Sequence, residues 1–171
     1  NTGNVLFNIG NKSVNAQGEY VEPSFFKMFT LSFVQGNAGS AFYQLHSIVL
    51  TQQTAKKFFG DEKNVIGKTV RMDNNQDYIV SAVLKDIPEN STIQFEWLAP
   101  FKVWYDANPR AQTWFNFGLT TYVELQPGVD VSTINKKLSN PYYDFTTQKI
   151  ESDKSSVHVF LFGMNNWHLY N

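Results

Sequence analysis

Cysteine is absent from this 171-residue chain, which excludes a disulfide scaffold, a thiol nucleophile and zinc sites of the cysteine type. Charge is sparse as well, at 17% of residues against about 25% in an ordinary soluble domain. The 14 Lys and Arg nearly cancel the 15 Asp and Glu, leaving a net charge of -1 and a pI near 6.3. That balance supplies no pull toward a phosphate backbone, and no stretch interleaves basic with aromatic residues as a nucleic-acid groove does. Nucleic acid is therefore not expected as a partner. No apolar run approaches the ~18–20 residues of a membrane helix, and no basic-then-apolar leader opens the chain. Asn1 stands where an initiator Met would, so the chain is expected to be a piece of something longer. Internal repeats, low-complexity tracts and linkers are also missing.

What the chain does have is apolar and aromatic bulk. Apolar residues reach 42% and aromatics 16%, with 15 Phe, 8 Tyr and 4 Trp, the opposite of a disordered composition. A chain this long buries roughly 68–70% of its unfolded surface, so residues 1–171 are expected to form one domain, or one domain with two lobes. The polarity comes from amides, 17 Asn and 10 Gln, a composition that fits an extracytoplasmic space.

Periodicity organises the chain into short elements. Val5 to Ile9, the turn Gly10-Asn11-Lys12 and Ser13 to Asn15 read as a hairpin, with Gly-Asn supplying the positive φ of a tight turn. Glu19 to Val21 is extended. Pro23 to Phe29 then reads as a helical turn or two, with Ser24 as N-cap and Phe25, Met28 and Phe29 on one face. Ser47 to Leu50 is a buried-strand pattern. Thr51 can cap a helix over Gln52 to Phe59, whose stripe is Ala55, Phe58 and Phe59 and whose left-handed end is Gly60. Gly67 to Met72, the turn Asp73-Asn74-Asn75 and Asp77 to Leu84 form a second hairpin, and Lys85 to Ser91 a turn around Pro88. Ile93 to Leu98 alternates as a half-buried strand with Gln94 and Glu96 in water. Lys102 to Phe117 has no clear period and reads as a long loop or a short irregular helix. Further on, Leu119 to Leu125 reads as a strand, Pro127-Gly128 as a turn, Val131 to Leu138 as a helix capped by Asp130 with Val131, Ile134 and Leu138 inward, and Ser156 to Phe162 as a strand.

Chemistry-bearing patterns are few. His46, His158 and His168 show neither helical metal-site pairing nor finger-type spacing. Phosphate-binding glycine loops and nucleophile elbows are absent. The carboxylate pairs Asp61/Glu62 and Asp86/Glu89 fall in polar turns, where water keeps acids ordinary, and Asp86 is expected to bond backbone N–H groups around the Pro88 turn. Asn11-Lys12-Ser13 and Asn90-Ser91-Thr92 fit the glycosylation sequon, a pattern frequent by chance in an Asn-rich chain. Trp104, Tyr105 and Trp114 have two readings. Exposed, they are a contact surface for a partner protein or an apolar ligand; buried, they are core.

Taken in order, Ser24–Phe29 (SFFKMF), Ser47–Thr51 (SIVLT), Ala55–Asp61 (AKKFFGD), Ile66–Thr69 (IGKT) and Tyr78–Ser91 (YIVSAVLKDIPENS) resemble the MacB-like periplasmic core domain of FtsX-like ABC transporter permeases. The resemblance is best over residues 23–101. Thr121–Gly128 (TYVELQPG) is similar to a later strand and turn of that family, and Trp167-His168-Leu169-Tyr170 to its closing segment.

The resemblance implies an α+β fold of two lobes, one of βαβ-type units and one mostly β, with mixed and antiparallel sheets and short helices. It implies a non-enzymatic domain outside the bacterial cytoplasmic membrane, inserted between the first and second transmembrane helices of a permease. Its partners would be the transmembrane helices of the same permease, a second permease copy, a cytoplasmic ATP-binding subunit and, in some relatives, a periplasmic adaptor with an outer-membrane channel. ATP hydrolysis in the separate subunit would drive export, release or sensing of a substrate such as an antimicrobial peptide, a macrolide or a lipoprotein. No cofactor or metal is implied, and Thr51, Gly60, Gly67 and Pro88 match as structural residues. Relatives carry a further segment before the opening hairpin, so a strand and helix of the first lobe are expected to lie outside this chain. The rival reading is a secreted or surface binding module that takes its ligand on the aromatic loop at Trp104, Tyr105 and Trp114.

Overall fold

Gly10 sits in the left-handed region at φ 58° and turns Thr2–Ile9 (β1) into Lys12–Val21 (β2), an antiparallel hairpin with Ile9 opposite Lys12. The computed structural model describes residues 2–61, 63–113, 118–138 and 159–169. The chain divides into two compact units, residues 1–120 and 121–171.

In the first unit the second hairpin joins Thr69–Met72 (β5) to Gln76–Leu84 (β6). Asp73 and Asn74 both have positive φ, the signature of the turn whose twist matches paired strands. Ser47–Thr51 (β4) runs parallel to β6, and Trp97–Pro100 (β7) lies between β4 and β2, antiparallel to the first and parallel to the second. Pairing of β5 with both β1 and β6 closes the ring β6-β4-β7-β2-β1-β5. The result is a mixed six-stranded barrel, to which Phe33–Gln35 (β3) adds on β6 beyond β5. Both the βαβ-type unit (β4, the following helix and β6) and the mostly antiparallel strands therefore share one closed sheet. The lobe boundary expected between them is not present within residues 1–120.

Side-chain alternation fills the barrel. Val5, Phe7, Ala16, Ile48, Leu50, Val70, Met72, Tyr78, Val80, Trp97 and Ala99 form one buried cluster, each strand contributing every second residue as the pleat requires. The phase slips once. Ile48 pairs with Val80 but Val49 pairs with Ala82, so Ser81 is an extra residue, and beyond it Val83 rather than Ala82 points inward. This bulge is satisfied by the Ser81 hydroxyl, which donates to the carbonyls of Ala41 and Ile48.

The outer face of β4, β6 and β7 is covered by a second cluster in which Val49, Ala82, Leu84 and Leu98 meet Phe25, Phe26 and Phe95. The short helix Phe25–Met28 (α1) supplies the first two rings. Ser24 precedes α1 in helical geometry and makes no side-chain cap bond. The inward residues are Phe25 and Phe26, while Met28 is half-buried. Because β7 has neighbours on both edges and cover on both faces, all four of its residues are buried. The strand begins at Trp97, four residues later than the alternation from Ile93 suggested.

Gln52–Phe59 (α2) closes one end of the barrel. Thr51 accepts from the Thr54 N–H at 3.3 Å, Gly60 is left-handed at φ 78°, and Phe58 sits 5.1 Å ring to ring from Phe7, all as the sequence pattern required. Phe101–Ala107 (α3) lies at the other end, with Val103 packed on the core cluster. The Lys102 to Phe117 segment is thus a helix followed by the 3-10 turn Pro109–Gln112, as far as residue 113.

The second unit holds Val131–Leu138 (α4). Asp130 caps it, accepting from the backbone N–H of Ser132 at 3.1 Å and of Thr133 at 3.0 Å. Val131 is exposed and Ile134 and Leu138 are only half-buried, so the inward stripe expected for this helix is not buried. Residues 118–126 and 159–163 are irregular, a correction to the strands expected over 119–125 and, in its described part, 156–162. Neither segment has a ladder partner among the described residues, and Val123 and Phe160 are exposed. Alternation makes a strand only where a neighbouring strand's ladder takes its backbone N–H and C=O groups. The segment Met164–Leu169 is a 3-10 helix, with Trp167 6.0 Å ring to ring from Tyr122.

Candidate functional site

At the α3 end of the barrel the strands leave an open pocket of about 490 Å³, within the range of small-ligand sites. Its floor is built by alternation: Tyr20 on β2, Met72 on β5 and Tyr78 on β6 all point inward, where their strands terminate or begin. The Asp73-Asn74 turn brings Asp73 to the rim, and the approach to β4 brings His46, whose ring meets Tyr78 edge-on at 5.4 Å. The wall is α3, contributing Val103 and Trp104. Lys102 pairs with Asp106 one turn on at 2.8 Å, and the Asn108 side-chain amide donates to the Trp104 carbonyl at 2.7 Å, closing the helix end.

The two phenols are linked. Tyr78 donates to the Tyr20 oxygen, and the Tyr20 hydroxyl donates to the Met72 sulfur at 3.1 Å. Burial raises both pKa values above the ordinary tyrosine range. At Tyr78 the neighbouring Tyr20 adds to the rise, whereas at Tyr20 the interaction with Tyr78 partly offsets it, and the nearby Asp73 carboxylate opposes ionisation of both. Both phenols are neutral donors at physiological pH.

Of the aromatic residues singled out by sequence, Trp104 lines this pocket. Tyr105 is half-buried, does not line it, and packs 5.7 Å from the Phe101 ring. Trp114 lies outside the described residues. Sequence reading missed Tyr20, Met72, Asp73 and Tyr78 as pocket residues. Their inward alternation was legible, but their convergence depends on barrel closure.

Among the acids, Asp86 has a different role from the local one expected. Its Oδ1 accepts from the Gln53 N–H at 2.8 Å, so it shares the first turn of α2 with Thr51 and ties the Pro88 segment to that helix. Charge at a helix N-terminus is favourable. Replacing Thr51 by Val or Asp86 by Ala is expected to cost about 1 kcal/mol each. Urea unfolding checks this, and an unchanged midpoint for Asp86→Ala would show the contact to be energetically silent. Glu89 and Asp61 are exposed and Glu62 lies outside the described residues. Asp130 is held at about 2, first by the Ser132 and Thr133 hydroxyls and then by their backbone N–H groups. This marks a helix cap whose contribution is fully present above the unfolded-state value of 3.8 and fades as pH falls from there through about 2. His168 falls where side chains are not described and His158 outside the described residues. Among the described residues no three His, Asp or Glu side chains come together as a metal site, and no helix is long and apolar enough to cross a membrane.

Three comparisons bear on what this fold is. No curated protein matches the chain. A domain of a putative permease protein from Porphyromonas gingivalis superposes with a TM-score of 0.72 at 24% identity, over 87% of this chain and 69% of its own length. The periplasmic region of MacB from Actinobacillus actinomycetemcomitans superposes with a TM-score of 0.58 at 17% identity, over 84% of this chain and 63% of its own length. At such identities the likeness is one of fold. The sequence profile of the MacB-like periplasmic core domain matches residues 2–140, wider at both ends than the 23–101 motif run. With four fifths of the chain under that match, this protein belongs to the MacB-like periplasmic core domain family.

Proposed function

We propose that the chain is the extracytoplasmic domain of an ABC transporter permease and catalyses nothing itself. The observation that carries this reading is family membership over residues 2–140. In this reading the domain is tethered to the transmembrane helices of its own permease, pairs with a second copy in the assembled transporter, and moves in response to ATP hydrolysis by a separate cytoplasmic subunit. The cargo exported, released or sensed is an antimicrobial peptide, a macrolide or a lipoprotein, with or without an adaptor and outer-membrane channel. The partner-contact residues proposed from sequence, Trp104, Tyr105 and Trp114, would be the ones that meet cargo or partner.

The absence of cysteine makes the test direct. A single cysteine placed at exposed Lys12 or Asn74 in the full-length parent protein is expected to react with a membrane-impermeant maleimide in intact cells, as spheroplasts if an outer membrane blocks the reagent. The unsubstituted parent gives the background. Labelling only after the cytoplasmic membrane is permeabilised would place the domain in the cytoplasm and overturn the reading.

A further inference from the structure

We infer that the pocket under α3 is a binding site for an organic cation with an apolar body, an alkyl- or arylammonium group. The inference concerns the first unit alone and does not depend on the transporter reading. Three features point to it. Tyr20, Tyr78 and Trp104 line a space of about 490 Å³ together with Met72 and Val103, an aromatic and apolar lining of the kind that takes a cation with an apolar body. Among the described residues no Lys or Arg lines it, and His46 is its one basic side chain. Of its two carboxylates, Asp106 is neutralised by Lys102 at 2.8 Å, whereas Asp73 has no ion-pair partner among the described residues. Asp73 uses Oδ1 to accept from the Leu6 N–H at 3.2 Å, and its Oδ2 has no hydrogen-bond partner among the described residues. An uncompensated carboxylate at the rim of an aromatic pocket repels anions and holds an ammonium group.

The same geometry supplies a clean variant. Asp73 occupies φ 49° in the hairpin turn, a conformation asparagine tolerates, and an asparagine Oδ1 can still accept from Leu6. Asp73→Asn therefore removes the charge and keeps the turn.

Benzyltrimethylammonium, benzyl alcohol and benzoate are titrated into the isotope-labelled chain, with amide resonances of Tyr20, Asp73, Tyr78 and Val103 to Asn108 followed by NMR. The cation is expected to shift these resonances saturably, benzyl alcohol more weakly and benzoate not at all. Asp73→Asn is expected to weaken cation binding about three- to tenfold, with an unchanged thermal midpoint. Trp104→Leu should weaken the cation by a similar factor. Absence of shifts with the cation overturns the inference. So does equal binding of all three probes, which would make the pocket merely apolar, or cation binding indifferent to Asp73→Asn.

Discussion

Replacing Trp97 by alanine is expected to destabilise the first unit by about 3–5 kcal/mol, the range for deleting a fully buried indole. Trp97 is 0% exposed and sits at the centre of the barrel. Its ring meets Phe7 at 5.7 Å and Tyr20 at 5.3 Å, both edge-on, and its Nε1–H donates to the Ala16 carbonyl at 3.0 Å. Truncation loses the burial and leaves a cavity. The space for the indole exists because its partner across the parallel β2–β7 ladder is Gly18. A Cβ at position 18 would lie 2.3 Å from both the Trp97 ring and the Trp97 carbonyl oxygen. Gly18→Ala should therefore destabilise by more than the ~1–3 kcal/mol of ordinary overpacking. Adding Trp97→Phe should recover only part of the loss, since the backbone clash stays. Chemical denaturation of the single and double variants decides this. Additive effects, or a Gly18→Ala protein as stable as the parent, would mean that β2 and β7 do not pair in this register.

Alkaline unfolding driven by Tyr78 is the second large effect. Tyr78 is 2% exposed, and its folded-state pKa is raised, first by burial and then by Tyr20 and Asp73. The unfolded value lies near 10. The stability it confers is thus fully present below about pH 10 and is lost as pH rises above that point, by up to ~1.4 kcal/mol per pH unit, because only the unfolded chain releases the proton. Tyr20 acts in the same direction more weakly. The thermal midpoint should fall steeply beyond pH 10. Tyr78→Phe should flatten that fall while costing about 1 kcal/mol at neutral pH for the lost hydrogen bond to Tyr20. Phenolate absorbance gives an independent readout. The Tyr78 share of the phenolate signal should appear only on unfolding. Identical alkaline slopes for parent and variant would show that Tyr78 ionises without unfolding the barrel.

The proton-holding pair and the cation-binding proposal share one cause. The barrel end that α2 plugs with Phe58 is packed with apolar side chains, whereas the end under α3 is finished by two phenols and a thioether. Polar atoms at a barrel mouth need partners or water, and these three satisfy one another in the chain Tyr78 to Tyr20 to Met72.

Much of this was legible in local sequence. The two hairpins, the Thr51-capped helix ending at Gly60 and the Asp130 cap all rest on interactions between residues a few positions apart, where residue type dictates backbone geometry directly. The ordered motifs from Ser24 to Ser91 also pointed to the right family. In several places where expectation and structure part, the missing information is a partner distant in sequence. Leu119 to Leu125 alternates well but has no ladder partner among the described residues. Ile93 to Leu98 suggested one wet face because alternation cannot reveal that a strand is covered on both sides. Asp86 suggested a local turn contact, whereas its N–H partner belongs to Gln53, 33 positions away. Gly18 drew no notice, lying outside any turn, because its need for a bare Cα comes from an indole 79 residues further on.

Composition and short-range pattern by themselves determined that this chain has a large aromatic core, which hairpin turns it makes and where α2 and α4 begin, because propensity, capping and turn chemistry act over one to five residues. Tertiary structure alone decided that the strands close into a six-membered ring, that Ser81 bulges to shift the phase of β6, and that Tyr20, Tyr78, Asp73 and Trp104 converge on one pocket. These depend on pairings such as β5 with β1 and β2 with β7, whose ladder bonds join backbone groups and are written in no single stretch of side chains.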